Sequence, residues 1–207
     1  MRMSLTKQPL WIKILLTLMA NLVIGFAMGS MHYMNVGADP ITVLIGGISQ
    51  TIGSTEGVAA TILNTCFFLF VFLFNRKDIK CATVISIFTL GPFMDFALFC
   101  IRLFVPVSLP YYIRVVISGV SSAVMGAAIG FYLFLQIGAS PTDGVMKWFH
   151  KQFHLPYRYC TWVFYGIAMI VGFILGGKVG IGTLLSLYFV GKCCDSMNHH
   201  LQKTEIG

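Results

Sequence analysis

The sequence predicts an all-α membrane protein with six transmembrane helices, arranged as two inverted three-span repeats that each carry a short re-entrant or interfacial helix. The first observation is composition: 57% of the 207 residues are hydrophobic, only 10% are charged, and the mean hydropathy is +0.84. A soluble domain carries about 25% charged residues. The second observation is a pattern that occurs twice, VGADPIT at residues 36–42 and IGASPTD at residues 137–143, each time after a long apolar run.

Six apolar segments are the predicted spans. A helix needs about 20 apolar residues to cross a bilayer, and five segments approach or exceed this length: residues 10–33, 57–74, 81–105, 114–136 and 160–175. The sixth, residues 180–193, is shorter and contains glycine. The first run is too long for a signal peptide. Its Gly25 and Gly29 also recur in a later segment, so we expect it to belong to the fold.

Lysine and arginine residues predict the orientation, because basic residues accumulate on the cytoplasmic side. Six spans with a cytoplasmic N-terminus put both termini inside. The inner segments then carry eleven bases: Arg2, Lys7, Lys13, Arg76, Lys77, Lys80, Lys147, Lys151, Arg158, Lys192 and Lys203. The outer segments carry Arg102, Arg114 and Lys178. The net charge of +7 follows from this bias and predicts no nucleic-acid partner.

The two halves of the chain match each other when they are aligned, at an offset of 101 and further on of 100. The identical pairs include Gly25 with Gly126, Gly29 with Gly130, Gly37 with Gly138, Pro40 with Pro141, Thr83 with Thr183, Gly91 with Gly191, and Asp95 with Asp195. Each copy, at about residues 10–105 and 111–198, contains three spans. Because three is odd, the second copy enters the membrane from the opposite side, as in many secondary transporters. We expect residues 1–207 to form a single membrane domain.

Each Gly-Ala-x-Pro segment predicts the start of a short helix. Glycine permits the chain to reverse, a polar residue caps the helix, and proline suits its first position. The residues in these roles are Gly37 and Gly138, Asp39 and Ser140, and Pro40 and Pro141. Residues 41–52 are apolar and too short to span, which is typical of a re-entrant half-helix. Residues 142–153 separate apolar from basic side chains, which is typical of an interfacial amphipathic helix.

Four stretches contain glycine with proline, lysine or aspartate at set spacing: GASPTDG at residues 138–144, GGKVGIGT at 176–183, GPFMD at 91–95 and GKCCD at 191–195. At these residues the sequence resembles the YczE/YyaS family of bacterial integral membrane proteins, over about residues 25–196. It departs from the family pattern at Thr142, where the family has Trp, and at Lys192, where it has Pro. The resemblance implies a protein of the bacterial cytoplasmic membrane and supports a transporter without naming a substrate.

Six polar residues at the repeat landmarks are candidates for binding a substrate or ion: Asp39, Thr42, Asp95, Ser140, Asp143 and Asp195. A carboxylate at membrane depth is costly and usually faces a cavity or a partner. Asp95 lies mid-span and could therefore bind a cation, a proton or an amine. An alternative stays equally open for Asp95 and Asp195, namely that they accept hydrogen bonds from free N–H groups at helix starts. For Asp39 and Asp143, at predicted helix starts, capping is the favoured interpretation.

Seven glycine and proline residues are candidates for hinges or close packing: Gly37, Pro40, Gly91, Pro92, Gly138, Pro141 and Gly191. We expect Pro92 to interrupt the third span, since proline removes a helical hydrogen bond. Gly-x-x-x-Gly motifs at residues 25–29, 126–130 and 172–176 let helices approach closely. We expect them to pack spans within the chain, with the first and fourth spans crossing near the pseudo-axis. A homodimer is the alternative.

The repeat predicts a small secondary transporter or permease for a small polar solute, working by alternating access. Carboxylates near half-helix starts favour a cationic or zwitterionic solute, whereas an anionic one would require bases in the spans, where almost none occur. The alternative function is a non-transporting accessory or sensory subunit that docks a protein partner. We expect the lipid bilayer and the solute as partners and no enzymatic activity, cofactor or metal, since no catalytic or ligand spacing suits membrane depth.

Overall fold

A computed structural model describes residues 8–74, 76, 79–106, 109–135, 137–138, 140–154 and 156–206, with no side chains described at 157, 158 and 204–206. Arg2, Lys7 and Lys77, which entered the predicted orientation, lie outside the described residues, and so does Gln136, the predicted end of the fourth span. The side chain of Arg158 is likewise not described.

All the regular secondary structure in the described part of the chain is helical. Its helices are α1 (Leu10–Met34), α2 (Pro40–Ile52), α3 (Glu56–Phe74), α4 (Cys81–Phe104), α5 (Tyr111–Phe134), α6 (Pro141–Phe153), α7 (Tyr157–Ile174) and α8 (Ile181–Ile206). By length and composition α1, α3, α4 and α5 can each cross a membrane, which confirms four of the predicted spans. The apolar part of α7, Tyr159–Ile174, is shorter, and α8 is longer but more polar. The fifth and sixth spans therefore stay predictions.

The short helices α2 and α6 form where the sequence predicts them, and each has proline in its first turn. α2 is buried along most of its length. α6 is buried only near its start, and its aromatic side chains rest on the end of α3, where the Trp148 ring lies 4.9 Å from the Phe70 ring and 5.4 Å from the Phe74 ring. The predicted apolar face of α6 is thus partly used for packing, while Phe153 remains exposed.

Glycines bring the long helices together in two pairs, α1 against α4 and α5 against α8, while α1 also packs against α5. A Cβ atom at Gly25 would lie 2.8 Å from Cβ of Phe93 in α4, and one at Gly126 would lie 2.4 Å from the carbonyl oxygen of Val190 in α8. The Gly-x-x-x-Gly motifs of α1 and α5 therefore face α4 and α8. As predicted, the motifs pack spans within the chain, and α1 and α5, the first and fourth spans, are in contact. The motif glycines themselves admit the third and the sixth predicted spans.

Each short helix crosses a long helix of the other half of the chain: α2 packs against α7, and α6 packs against α3. A Cβ atom at Gly172 of α7 would lie 2.7 Å from the Cα of Leu44 in α2. A Cβ atom at Gly144 of α6 would lie 2.8 Å from a methyl carbon of Val71 in α3. At both crossings a glycine thus permits backbone and side chain to meet at a distance that a larger residue would prevent.

The interior combines a large apolar cluster with small polar groups. Met31, Ile45 and Met94 are almost fully buried in the main cluster, which draws on α1 to α5 and α7. Asn21 in α1 donates hydrogen bonds to the hydroxyls of Thr89, at 2.9 Å, and Ser86, at 3.2 Å. These bonds join α1 to α4 where apolar packing alone would not set their register.

Pro92 does not interrupt its helix. α4 continues from Cys81 to Phe104 with Pro92 inside it, and the proline ring is exposed. Proline removes one backbone hydrogen bond, but the neighbouring turns keep their helical form in α4. The predicted interruption was wrong in this respect, although Gly91 beside it makes a close contact that is described below.

We predict that Gly126→Ala destabilises the protein by about 1–3 kcal/mol, because the new methyl group would overlap the backbone of α8. The measurement is the free energy of unfolding in detergent, followed by circular dichroism. Gly166→Ala in α7 is the matched control, since a Cβ atom there meets nothing within 4 Å. Equal stability of the two variants would contradict the proposed packing of α5 on α8.

Candidate functional site

A carboxylate and a hydroxyl cap the start of α2. The Asp39 carboxylate accepts hydrogen bonds from the backbone N–H groups of Ile41, at 3.1 Å, and Thr42, at 3.3 Å. The Thr42 hydroxyl donates a further hydrogen bond to the same carboxylate. Asp39 is only 7% exposed, so these groups replace the water that its charge would otherwise require.

The start of α6 uses the same two chemical groups in exchanged positions. Here Ser140 is the capping residue, and its hydroxyl oxygen accepts a hydrogen bond from the N–H of Asp143 at 3.2 Å. The Asp143 carboxylate in turn accepts from the Ser140 hydroxyl at 3.0 Å and from the Ser140 N–H at 3.4 Å. Both helices thus place a carboxylate at the positive end of the helix dipole. Asp39 is thus bonded to Thr42 and Ser140 to Asp143, in two separate caps, which is the capping role that the sequence favoured.

The loop between α1 and α2, which we call the first crossing, is held in place by hydrogen bonds from the second half of the protein. Gly37 has a φ of 97°, which glycine adopts without strain. The Gly182 N–H donates a hydrogen bond to the Val36 carbonyl at 2.8 Å, and the Ser118 hydroxyl donates one to the Gly37 carbonyl at 3.4 Å. Arg114 adds a hydrogen bond from Nε to the Met34 carbonyl at 2.6 Å.

The second crossing, between α5 and α6, is held in a corresponding way. Gly138 has a φ of 148°, and the Ala82 N–H at the start of α4 donates a hydrogen bond to the Ile137 carbonyl at 3.3 Å. Gly182 and Ala82 differ by 100 residues, and Val36 and Ile137 by 101, which are the two offsets of the sequence repeat. Each half therefore supplies a backbone N–H donor to the crossing of the other half, and the two donors correspond in the repeat.

Asp95 ties α4 to the start of α3. Its carboxylate accepts hydrogen bonds from the Thr55 hydroxyl at 2.6 Å and from the Gly57 N–H at 2.7 Å. Gly57 and Gly91 lie against each other, since a Cβ atom at Gly57 would lie 2.4 Å from the Gly91 carbonyl oxygen. We call this contact the α3–α4 seam. Asp95 acts in it as a remote helix cap, the alternative to a free binding carboxylate.

The corresponding α7–α8 seam is open. Asp195 is exposed, and a Cβ atom at Gly191 would meet nothing within 4 Å. Over their described residues α7 and α8 make hardly any contact. Asp195 is therefore not brought together with the other predicted binding residues. The other five predicted binding residues lie in three separate hydrogen-bonded groups. Asp39 is bonded to Thr42, Ser140 to Asp143, and Asp95 to Thr55 and Gly57.

A cavity of about 240 Å³ lies beside the start of α2. It is bounded by the end of α1, the crossing to α2, α2 itself, the end of α4 and the loop before α8. Its lining residues are Met31, His32, Tyr33, Asn35, Gly37, Ala38, Thr42, Val43, Gly46, Gln50, Arg102 and Lys178. Of the six predicted binding residues, only Thr42 lines it.

Sequence reasoning missed the role of His32, which forms one wall of this cavity. Its Nε2 lies 3.0 Å from Oε1 of Glu56 in α3, and its imidazole ring lies on α2, since a Cβ atom at Gly46 would lie 3.0 Å from it. His32 thereby connects α1, α2 and α3. Arg102 and Lys178 had been noted only as outer bases. One feature of the sequence does point to their role. Arg102 and Lys178 lie at span ends on the predicted outer side, which is also where the first Gly-Ala-x-Pro segment starts.

Among the described residues, no group of three or more His, Cys, Asp or Glu side chains is arranged to hold a metal ion. The six cysteines are all free thiols. The described residues that line the cavity offer hydrogen-bonding groups and two cationic side chains.

A family model described as a family of unknown function, DUF6198, matches residues 11–199. Three relatives are similar to the chain. A Haemophilus influenzae protein named as uncharacterized is 25% identical over 84% of this chain and 78% of its own. The Bacillus subtilis uncharacterized membrane protein YczE is 24% identical over 75% of this chain and 71% of its own, and the Bacillus subtilis protein YyaS is 21% identical over 75% and 77%. No solved structure matches.

These relatives confirm the resemblance to the YczE/YyaS family that the glycine and aspartate stretches indicated. Together with the apolar helices, the relative named as a membrane protein indicates that the chain is a multi-pass protein of a lipid bilayer. The orientation of its termini stays a prediction.

We predict that Asp39→Ala lowers the free energy of unfolding by about 1–2 kcal/mol, because two backbone N–H groups lose their cap. Asp39→Asn should restore most of the loss, since asparagine caps about as well as aspartate. Asp195→Ala is the matched control and should change stability by less than about 0.5 kcal/mol, because its side chain is exposed. Chemical unfolding in detergent measures all three, and equal effects of Asp39→Ala and Asp195→Ala would refute the capping role.

Proposed function

The chain belongs to the DUF6198 family, and from that premise we propose that it is a small secondary transporter or permease. In this proposal the protein moves a small polar solute by alternating access between two inverted repeats of three spans each, without catalysing a reaction. The termini both lie in the cytoplasm, as the distribution of lysine and arginine favours.

Contacts that recur at the repeat offset support the inverted repeat. The pairs α1–α4 and α2–α7 correspond to α5–α8 and α6–α3, and all four pairs are in contact. At the crossing of α2 and α7, Gly172 meets the backbone of Val43 and Leu44, and at the crossing of α6 and α3, Gly144 meets Val71. Residues 43 and 144 are related by 101, and so are 71 and 172. Such two-fold relations are characteristic of transporters with binding sites between the repeats.

The observation that carries the proposal is the difference between the two seams. At the α3–α4 seam Gly91 packs on Gly57 and Asp95 caps α3, whereas at the α7–α8 seam Gly191 and Asp195 have no such contact. Two copies of one sequence pattern thus adopt two conformations. In the proposed second state the α3–α4 seam opens and the α7–α8 seam closes. Exchange between two such states is alternating access.

Individual residues have defined roles in this exchange. Opening the α3–α4 seam would release the Thr55 hydroxyl and the Gly57 N–H from Asp95. Closing the α7–α8 seam would bring Gly191 against α7 and let Asp195 accept from N–H groups at the start of that helix. Gly37 and Gly138, which hold positive φ angles at the two crossings, are the proposed hinges.

The charge of the solute is not part of this proposal. The sequence pattern favoured a cationic or zwitterionic solute because of its carboxylates. Asp39, Asp95 and Asp143, however, each bind N–H and hydroxyl groups of the chain itself. The carboxylates that motivated the prediction are therefore engaged in this conformation.

We predict that the seams exchange conformations. Spin labels at two matched pairs of exposed positions, Val58 with Phe99 and Tyr159 with His199, report the α3–α4 and α7–α8 seams in a background without the native cysteines. Double electron–electron resonance should give two populations for each pair. Asp95→Asn weakens the closed α3–α4 seam. It should therefore increase the fraction of molecules in which the labels at positions 159 and 199 are at the shorter of their two distances. One unchanging distance for each pair would rule out the exchange.

We also predict that purified protein in proteoliposomes exchanges at least one solute from a pool of labelled metabolites. Asp95→Asn and Asp195→Asn should each reduce that exchange severalfold, because each would weaken the closed form of one seam. Thr65→Val is the matched control, since within the described residues the Thr65 hydroxyl bonds only to the Thr61 carbonyl of its own helix. Absence of exchange by folded protein, together with a stable complex on mild extraction, would instead indicate the accessory-subunit alternative.

A further inference from the structure

The cavity beside α2 is small and partly open. Its volume of about 240 Å³ lies below the range of about 300–1,000 Å³ that is typical of pockets for drug-sized ligands. It therefore suits a solute of a few heavy atoms. Five parts of the fold meet around it, so a bound solute would touch both halves of the chain at once.

Two cations line the cavity and are available to a ligand. Arg102, near the end of α4, and Lys178, in the loop before α8, are both exposed. No hydrogen bond or ion pair within the described residues engages either side chain. Arg102 is close enough to attract Glu56, which is itself paired with His32. Because Glu56 is already paired with His32, the Arg102 guanidinium keeps N–H groups for a ligand in the cavity that it lines.

The carboxylates around the cavity are already engaged. Asp39 lies behind Thr42 and is bound to the N–H groups that start α2. Glu56 binds His32, and Asp95 binds Thr55 and Gly57. No carboxylate is among the described residues that line the cavity. The charge presented to a solute is consequently positive.

Neutral groups complete the lining with hydrogen-bond donors. Gln50 of α2 carries an amide that can donate two hydrogen bonds. The His32 ring provides a flat wall, held by Glu56 on one side and Gly46 on the other. A planar oxyanion such as a carboxylate matches the fork of an arginine guanidinium, which binds it through two parallel hydrogen bonds.

We propose that this cavity binds a small solute through a carboxylate or another oxyanion group, with Arg102 and Lys178 as the charged partners and Gln50 as a neutral donor. The inference rests on the proposed function only in taking this solute to be the transported one. It assigns a different charge from the one that the repeat carboxylates had favoured. The reason is that the bases lie outside the middle of the spans, at span ends that the fold brings to α2.

Isothermal titration of the purified protein in maltoside micelles at low salt tests the proposal. The probes are lactate, inorganic phosphate, glycine and choline, each up to about 10 mM, which detects millimolar affinity. We expect lactate or phosphate to bind and choline not to bind. Arg102→Gln and Lys178→Gln should each weaken the binding about tenfold, as expected for loss of a charge-assisted contact. Lys203→Gln is the matched control, because Lys203 is exposed but does not line the cavity.

Three results would overturn the proposal: no binding of lactate or phosphate, binding of choline in their place, or anion binding that both cavity variants leave unchanged. Binding of glycine that the cavity variants weaken supports it, since glycine also carries a carboxylate. Displacement of the soluble probe by added phosphatidylglycerol would identify a lipid headgroup as the source of the same oxyanion. Anion binding without solute exchange would leave the inference standing while the transporter proposal fails.

Discussion

The structure depends on satisfying the backbone at two places where the chain leaves one helix and starts another in an apolar medium. Unpaired N–H and carbonyl groups are costly there, because no water replaces the missing partners. The first N–H groups of α2 and α6 are therefore bound by Asp39 and Ser140, and the carbonyls of Val36 and Ile137 accept from Gly182 and Ala82. Glycines at the helix crossings then let the remaining backbones approach. The positions of the seams and of the cavity follow from this arrangement.

At two places the repeat preserves a pair of chemical groups while exchanging which position holds which group. At the helix starts, Asp39 with Thr42 becomes Ser140 with Asp143, so carboxylate and hydroxyl change places. At the helix crossings, Val43 with Gly172 becomes Gly144 with Val71, so the larger and the smaller residue change places. In each case the fold constrains the pair and not the single position. A cap needs one of its two residues to accept from the N–H groups, and a helix crossing needs one of its two residues to be glycine so that the other side chain fits. A comparison of single positions would therefore understate how alike the two halves are.

Local features of the fold could be predicted from sequence, whereas partners across the fold could not. The Gly-Ala-x-Pro segments predicted both short helices and their caps, because a cap bonds residues two or three positions away. The glycine motifs indicated close packing but not that α4 and α8 are the partners. The sequence pairs Asp95 with Asp195 as equivalent, yet one is a tether and the other is exposed, since a repeated sequence does not specify which conformation each copy adopts. The cavity was missed because its charged residues come from separate span ends.

The hydrogen bond from Gly182 to Val36 also bears on how the protein is made. During synthesis, α2 emerges long before the residue that will hold the crossing in front of it, because Gly182 lies in α8, far along the chain from Val36. Contacts between residues so far apart in sequence are slow to form. Until Gly182 has been synthesised and has reached this carbonyl, the first crossing lacks that hydrogen bond. A chain truncated before α8 would leave the Val36 carbonyl without this donor.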